Sequence, residues 1–277
     1  MRKLSPIKFS ARDIVVLCAS SIRDNDLKRR VGDLADAVET AEEVYLNSAD
    51  RYAFFDIPKS DCVGQVTVDE MKRVYKGTFA KSKTTRPIYD LIKKLPENDI
   101  CPMCGQRTVG TLDHYLAQSL HPALVVTPAN LLPSCGDCNK AKLDAQPQSE
   151  VEQTLHPYFD EVDDADWLFA DVQMTSPAAL RFQVRGPANW PQIKVERVQL
   201  HFKTFGLGAL YASHSAVEIA NMRYALGKIL ERGTAAQVQS ELLLRFESCA
   251  EASRNSWQTA MYRALASSDW FYSGGFR

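Results

Sequence analysis

The sequence has no excess of positive charge: 33 Lys and Arg stand against 34 Asp and Glu, a formal net charge of −1. That excludes a chain that grips nucleic acid through a uniformly basic surface. No apolar run approaches the ~20 residues a membrane-spanning helix needs. The stretch from Ile14 to Ala19 is followed at once by charges and is too short for a signal segment, so the expectation is a cytoplasmic protein without membrane contact. There is no internal repeat, and 45% apolar with 24% charged residues is far from a disordered or fibrous composition.

Cysteine is scarce but unevenly spread. Seven is an odd number, and four of the seven fall into two Cys-x-x-Cys pairs, Cys101/Cys104 and Cys135/Cys138. In a reducing compartment that arrangement favours metal over disulfides. Cys18, Cys62 and Cys249 stand alone and are expected to act as small apolar residues.

Leu27, Val31, Leu34, Val38, Ala41 and Tyr45 recur at helical spacing, so residues 11–48 are expected to be helical with one core-facing stripe. Between positions 72 and 94, Lys72, Arg73, Lys76, Lys81, Lys83, Arg86, Lys93 and Lys94 face a single acid, Asp90. This basic block is either a solvated face or a phosphate-gripping surface, for which Lys81, Lys83 and Arg86 are the candidates. From Glu150 to Asp171 the balance reverses into an acidic block, expected as a solvated loop. Leu180 to Val184 alternates like a strand, and Thr234 with Gln237 offers a capping box to a late helix.

The chemistry concentrates between Cys101 and Lys142. Two Cys-x-x-Cys turns supply the four-sulfur tetrahedron that Zn²⁺ prefers, closed to substrate and therefore structural. The plainest reading ends there, with a zinc module that holds a loop or a partner. Between and after the pairs, however, stand Leu112-Asp113-His114, then Asn130-Leu131-Leu132, then Asn139 and Lys142.

The succession C-x-x-C, L-D-H, N-L-x-P-x-C-x-x-C-N-x-x-K resembles the HNH (ββα-metal) endonuclease family in its four-cysteine form. The resemblance implies an α+β chain, mostly helical, around a small zinc-stapled ββα core. The expected organisation is a helical region over 1–96, the nuclease module over 97–145 and a mainly helical region over 146–277. It implies hydrolysis of phosphodiester bonds in DNA, with His114 as general base and with Asp113 and Asn139 as ligands of one divalent ion. It also implies that Asn130 holds the intervening loop and orients His114, and that Lys142 can meet a phosphate. Asp113 and Asn139 stand where other members carry histidine; oxygen donors favour Mg²⁺ or Mn²⁺. A lesser resemblance, through LHPYFD at 155–160 and the late NSW and WF segments, is to bacterial HNH proteins of phage-defence systems with ATPase partners. The alternative function is a degenerate, non-catalytic zinc module that recruits a partner.

Overall fold

The computed structural model describes residues 1–142 and 147–277, which form two compact units, Met1–Asp160 and Glu161–Arg277. The expected boundary at 145 lies outside the described residues. Both the N-terminal helices and the cysteine-rich segment belong to the first unit.

The first unit opens with three helices rather than one continuous run: α1 (Ala11–Ser21), α2 (Asn25–Gly32) and α3 (Ala35–Ala49). Ser10 caps α1 by accepting from Asp13 N, and Asp24 caps α2 by accepting from Asp26 N and Leu27 N. Val31, Leu34, Val38 and Tyr45 are buried, so the stripe read from spacing survives the breaks between helices. Strands β1 (Cys62–Val63) and β2 (Val66–Thr67) pair as a minimal hairpin. Gly64 in its turn has φ +52 and lies so near Leu34 that a Cβ would sit 2.9 Å from the leucine side chain, so glycine is needed twice over.

Thr67 and Glu70 form a capping box at the start of α4 (Val68–Arg73). Arg30 holds Glu70 with two hydrogen bonds of 2.7 and 2.9 Å, tying α2 to α4. Helix α4 runs on into a π-helical turn, Val74–Phe79, and α5 (Arg86–Lys93) follows. Met71, Val74, Phe79, Ile88 and Ile92 from these elements share one core with Ile14, Val15 and Cys18 of α1. Leu112, Val125, Val126 and Leu131 complete it, so the helices support the segment that carries the motif.

That segment consists of β3 (Thr111–His114), β4 (Leu131–Ser134) and α6 (Gly136–Lys142). The strands are antiparallel, with Asp113 opposite Leu132 and His114 opposite Leu131. Behind them lies an aromatic cluster. His156 stacks on Phe54 (5.5 Å) and also contacts Tyr115 and Phe159. Tyr158 N–H donates to His156 Nδ1, which leaves Nε2–H to donate to Tyr45 Oη at 3.0 Å. Tyr158 O–H donates to the Leu131 carbonyl at 2.9 Å. The LHPYFD segment is thus a buttress for β4.

In the second unit, β5 (Leu168–Gln173) and β6 (Ala179–Val184) form an antiparallel ribbon with helices α7 (Gln192–Thr204), α8 (Leu207–Arg232), α9 (Ala235–Ala252) and α10 (Trp257–Ala266). The capping box of Thr234 and Gln237 starts α9 as expected. Part of the acidic block is not solvated loop: Asp171 lies on β5 and pairs with Arg181 and Arg185, because cross-strand neighbours satisfy it. Asn255, of the NSW segment, accepts from Trp167 N at 2.9 Å and donates to the Ala165 carbonyl, anchoring the entry to β5. Ser256 caps α10, and Trp257 and Phe271 are buried. The chain is therefore helix-rich with small sheets, an α+β fold. Among the described residues no helix is long and apolar enough to cross a membrane.

Candidate functional site

The four cysteines converge. The Sγ atoms of Cys101, Cys104, Cys135 and Cys138 all lie within 4.8 Å of one another, and all four residues are buried. A tetrahedron with Zn–S bonds of about 2.3 Å has edges of about 3.8 Å, so the cluster fits a metal such as zinc. The local backbone explains the convergence. Gly105 N–H donates to the Cys101 carbonyl, Cys101 N–H donates to the Arg107 carbonyl, and Gly105 takes φ +62, which favours glycine. Arg107 N–H and Cys138 N–H donate to Cys104 Sγ and Cys135 Sγ respectively, each at 3.4 Å. Hydrogen bonding among the four sulfurs lowers the Cys104 and Cys135 thiols toward the thiolates a metal requires and raises those of Cys101 and Cys138. Arg107 pairs with Asp137 at 2.8 Å across the two turns.

The strand between the pairs carries Asp113 and His114 to the lining of a cavity of ≈ 260 Å³. Its walls also include Tyr75, Lys76, Gln118 and Asn139. Asp113, His114 and Asn139, read from the motif, are thus brought together. His114 is 7% exposed, and its Nε2 lies 2.9 Å from the Val125 carbonyl. A carbonyl only accepts, so Nε2 carries the proton and Nδ1 keeps its lone pair. Tyr75 packs edge-on against the ring at 4.6 Å. Burial lowers the His114 pKa to about 4, which keeps the ring neutral at neutral pH.

Asn130 lies outside the cavity and is fully buried. Its Oδ1 accepts from Leu116 N at 2.7 Å, and its Nδ2 donates to the carbonyls of Leu116 and Leu124, each at 3.1 Å. It closes the loop whose next residue, Val125, accepts from His114.

The cationic candidates lie in separate surroundings. Lys142 is largely buried. The last turn of α6 brings its Nζ to 3.3 Å from Asp113 Oδ2, into a hydrogen bond with the His114 carbonyl, and over the Tyr115 ring at 5.1 Å. Arg86 is turned onto its own helix, pairing with Asp90 at 2.8 Å, and Lys83 is exposed away from the cavity walls. Lys81 lines a different cavity. From the basic block it is Lys76 that reaches the Asp113–His114 cavity, carried there by the π-helical turn. Residue spacing did not single it out. Nor did it mark Gln118, whose Oε1 is buried without a hydrogen-bond partner among the described residues.

No family model matches the chain, and no solved structure matches it. Among curated proteins it is similar to Protein ea31 of Escherichia phage lambda. Identity is 31% over 232 residues, which cover 78% of this chain and 78% of that protein.

Proposed function

The chain belongs to the family of Protein ea31 of Escherichia phage lambda, and from the geometry of its cavity we propose that it is an HNH-type, metal-dependent endonuclease acting on DNA. The observation that carries the proposal is the state of His114. Its ring is buried, neutral, held through Nε2–H by Val125, and shares a cavity with the oxygen donors Asp113 and Asn139. Such a ring presents Nδ1 as a proton acceptor in one orientation.

In this reading His114 Nδ1 takes a proton from the water that attacks phosphorus. The new P–O bond forms as the bond to the 3′ oxygen breaks, and that oxygen leaves with a proton from solvent. Lys76, on the same cavity, offers positive charge to the phosphate, and Gln118 Oε1 is an acceptor able to orient the attacking water. Lys142 engages one oxygen of Asp113, and Asp113 and Asn139 are the residues that would hold a divalent ion. A bound Mg²⁺ or Mn²⁺ would polarise the phosphoryl oxygen and stabilise charge on the leaving oxygen. Zinc at the four cysteines is assigned a structural role in this proposal. An ATPase partner and a part in defence against phage belong to the weaker resemblance, and no described residue carries them.

The Lys142–Asp113 pair also favours a second reading, a non-catalytic zinc module, because an internal cation already neutralises the carboxylate meant for the metal. The two are separated by cleavage of plasmid DNA with Mg²⁺ or Mn²⁺. We expect cutting by the wild type and its loss in His114→Ala, with zinc content and melting temperature retained. A wild type that binds Mn²⁺ nowhere but at the cysteines and cuts nothing would establish the second reading.

A further inference from the structure

We propose that the segment from Arg73 to Ser82 carries the backbone of a bound DNA strand out of the Asp113–His114 cavity into a second cavity, where Arg23, Arg73 and Lys81 bind its phosphates. The inference rests on the nuclease reading for what occupies the first cavity. The second cavity, of ≈ 520 Å³, lies between the end of α1, the start of α2 and the π-helical turn. Its wall includes Arg23, Arg73, Gly77, Thr78 and Lys81.

Three observations support the assignment. First, two of its three cations are uncommitted and the third is only loosely paired. Among the described residues Arg23 and Lys81 form no ion pair, and Arg73 approaches Glu70 only at 3.9 Å, while Glu70 is already held by Arg30 at 2.7 Å. Second, the one acid on the wall, Asp24, is spent on the N-terminus of α2, where its Oδ1 accepts from Asp26 N and Leu27 N. The wall therefore carries three cations against one carboxylate, an excess of positive charge. Third, the two cavities share a wall. Lys76 lines the first, while Gly77 and Thr78 line the second. The widened turn, closed by Ala80 N–H donating to the Tyr75 carbonyl at 2.9 Å, serves both sides.

A polyanion suits this arrangement better than a free phosphate. The three cations come from two stretches of chain, Arg23 from the link between α1 and α2 and Arg73 and Lys81 from the two ends of the π-helical turn. A DNA strand carries a charge about every 3.4 Å of helix axis, so one whose scissile phosphate lies by Lys76 needs cations beyond the turn as well.

The test measures binding without cutting. A fluorescently labelled short DNA duplex is titrated with zinc-loaded His114→Ala protein, with no Mg²⁺ or Mn²⁺ added, at several salt concentrations. Adding Arg23→Glu and Lys81→Glu should weaken binding about tenfold or more at low salt. It should also reduce the slope of log Kd against log salt by about two, one for each phosphate that the protein no longer neutralises. Arg23→Gln with Lys81→Gln should give the same direction with a smaller loss in affinity. The charge-reversed control Lys203→Glu, in the second unit, should stay within about twofold of the parent. Parental affinity and slope in a double variant that melts like the parent would overturn the proposal, as would a parent that does not bind the duplex. Weakened binding in the double variant beside a wild type that never cuts would retain the DNA track and reject the nuclease reading. Cutting by the wild type beside unaltered binding in the double variant would do the reverse.

Discussion

Lys142 Nζ lies 3.3 Å from Asp113 Oδ2, with the two side chains 12% and 11% exposed. This contact joins the last turn of α6 to the end of β3, and so ties the helix that carries Cys138 to the strand between the pairs. Removing one member of a buried ion pair leaves the other uncompensated. Lys142→Met should therefore destabilise the first unit by about 3 kcal/mol in urea unfolding. A cycle with Asp113→Asn should return a coupling of about 1 kcal/mol or more. Additive losses would mean that the pairing contributes nothing beyond its separate parts.

His114 gives stability a pH dependence whose sign can be worked out. Its folded pKa of about 4 lies below the ordinary value of 6.5. The unfolded chain therefore takes up the proton first. The contribution of the neutral ring is complete above pH 6.5 and is lost as pH falls through 6.5 toward 4. Between roughly pH 7 and pH 5 the wild type should lose about 2 kcal/mol relative to His114→Gln, whose amide does not titrate. Identical pH slopes in the two proteins would contradict the burial argument.

The cysteine cluster predicts coupled loss of metal and stability. Cys135→Ser should lower zinc content by elemental analysis. It should also lower the melting temperature of the first unit by about 10 °C or more, since structural metal binding and folding are one equilibrium. Retained zinc with an unchanged melting temperature would reject a structural metal at this site.

Asn130 acts on His114 through the loop it closes. Asn130→Ala leaves the Leu116 amide and the Leu116 and Leu124 carbonyls without their side-chain partner, each such loss worth about 1 kcal/mol or more. We expect about 3 kcal/mol of destabilisation. On the nuclease reading, kcat should fall more than KM rises, because the group displaced is the Val125 carbonyl behind His114 rather than a group that touches substrate. A change confined to KM would count against a positioning role.

Some of this was legible from residue order because it depends on short spacing. A Cys-x-x-Cys turn brings two sulfurs together locally, so the ligands were readable even though their meeting depends on the fold. The Thr234 capping box and the buried stripe from Val31 to Tyr45 were readable for the same reason. The positions of individual lysines were not. Lys76, Lys81 and Lys83 look alike in a basic run, and only the π-helical turn decides that Lys76 reaches one cavity and Lys81 the other. The place of His156 in the aromatic cluster was not readable either, because its partners, Tyr45, Phe54 and Tyr115, come from distant segments.

Residue order alone thus determined which groups exist: four thiols in two pairs, and an Asp-His dyad followed by two asparagines. Tertiary structure decided their states. The Val125 carbonyl sets the His114 tautomer, burial keeps that ring neutral, and the final turn of α6 commits Lys142 to Asp113. The physical reason is that a backbone carbonyl has no residue-type signature, and desolvation belongs to a packed environment rather than to any one residue in a line of sequence.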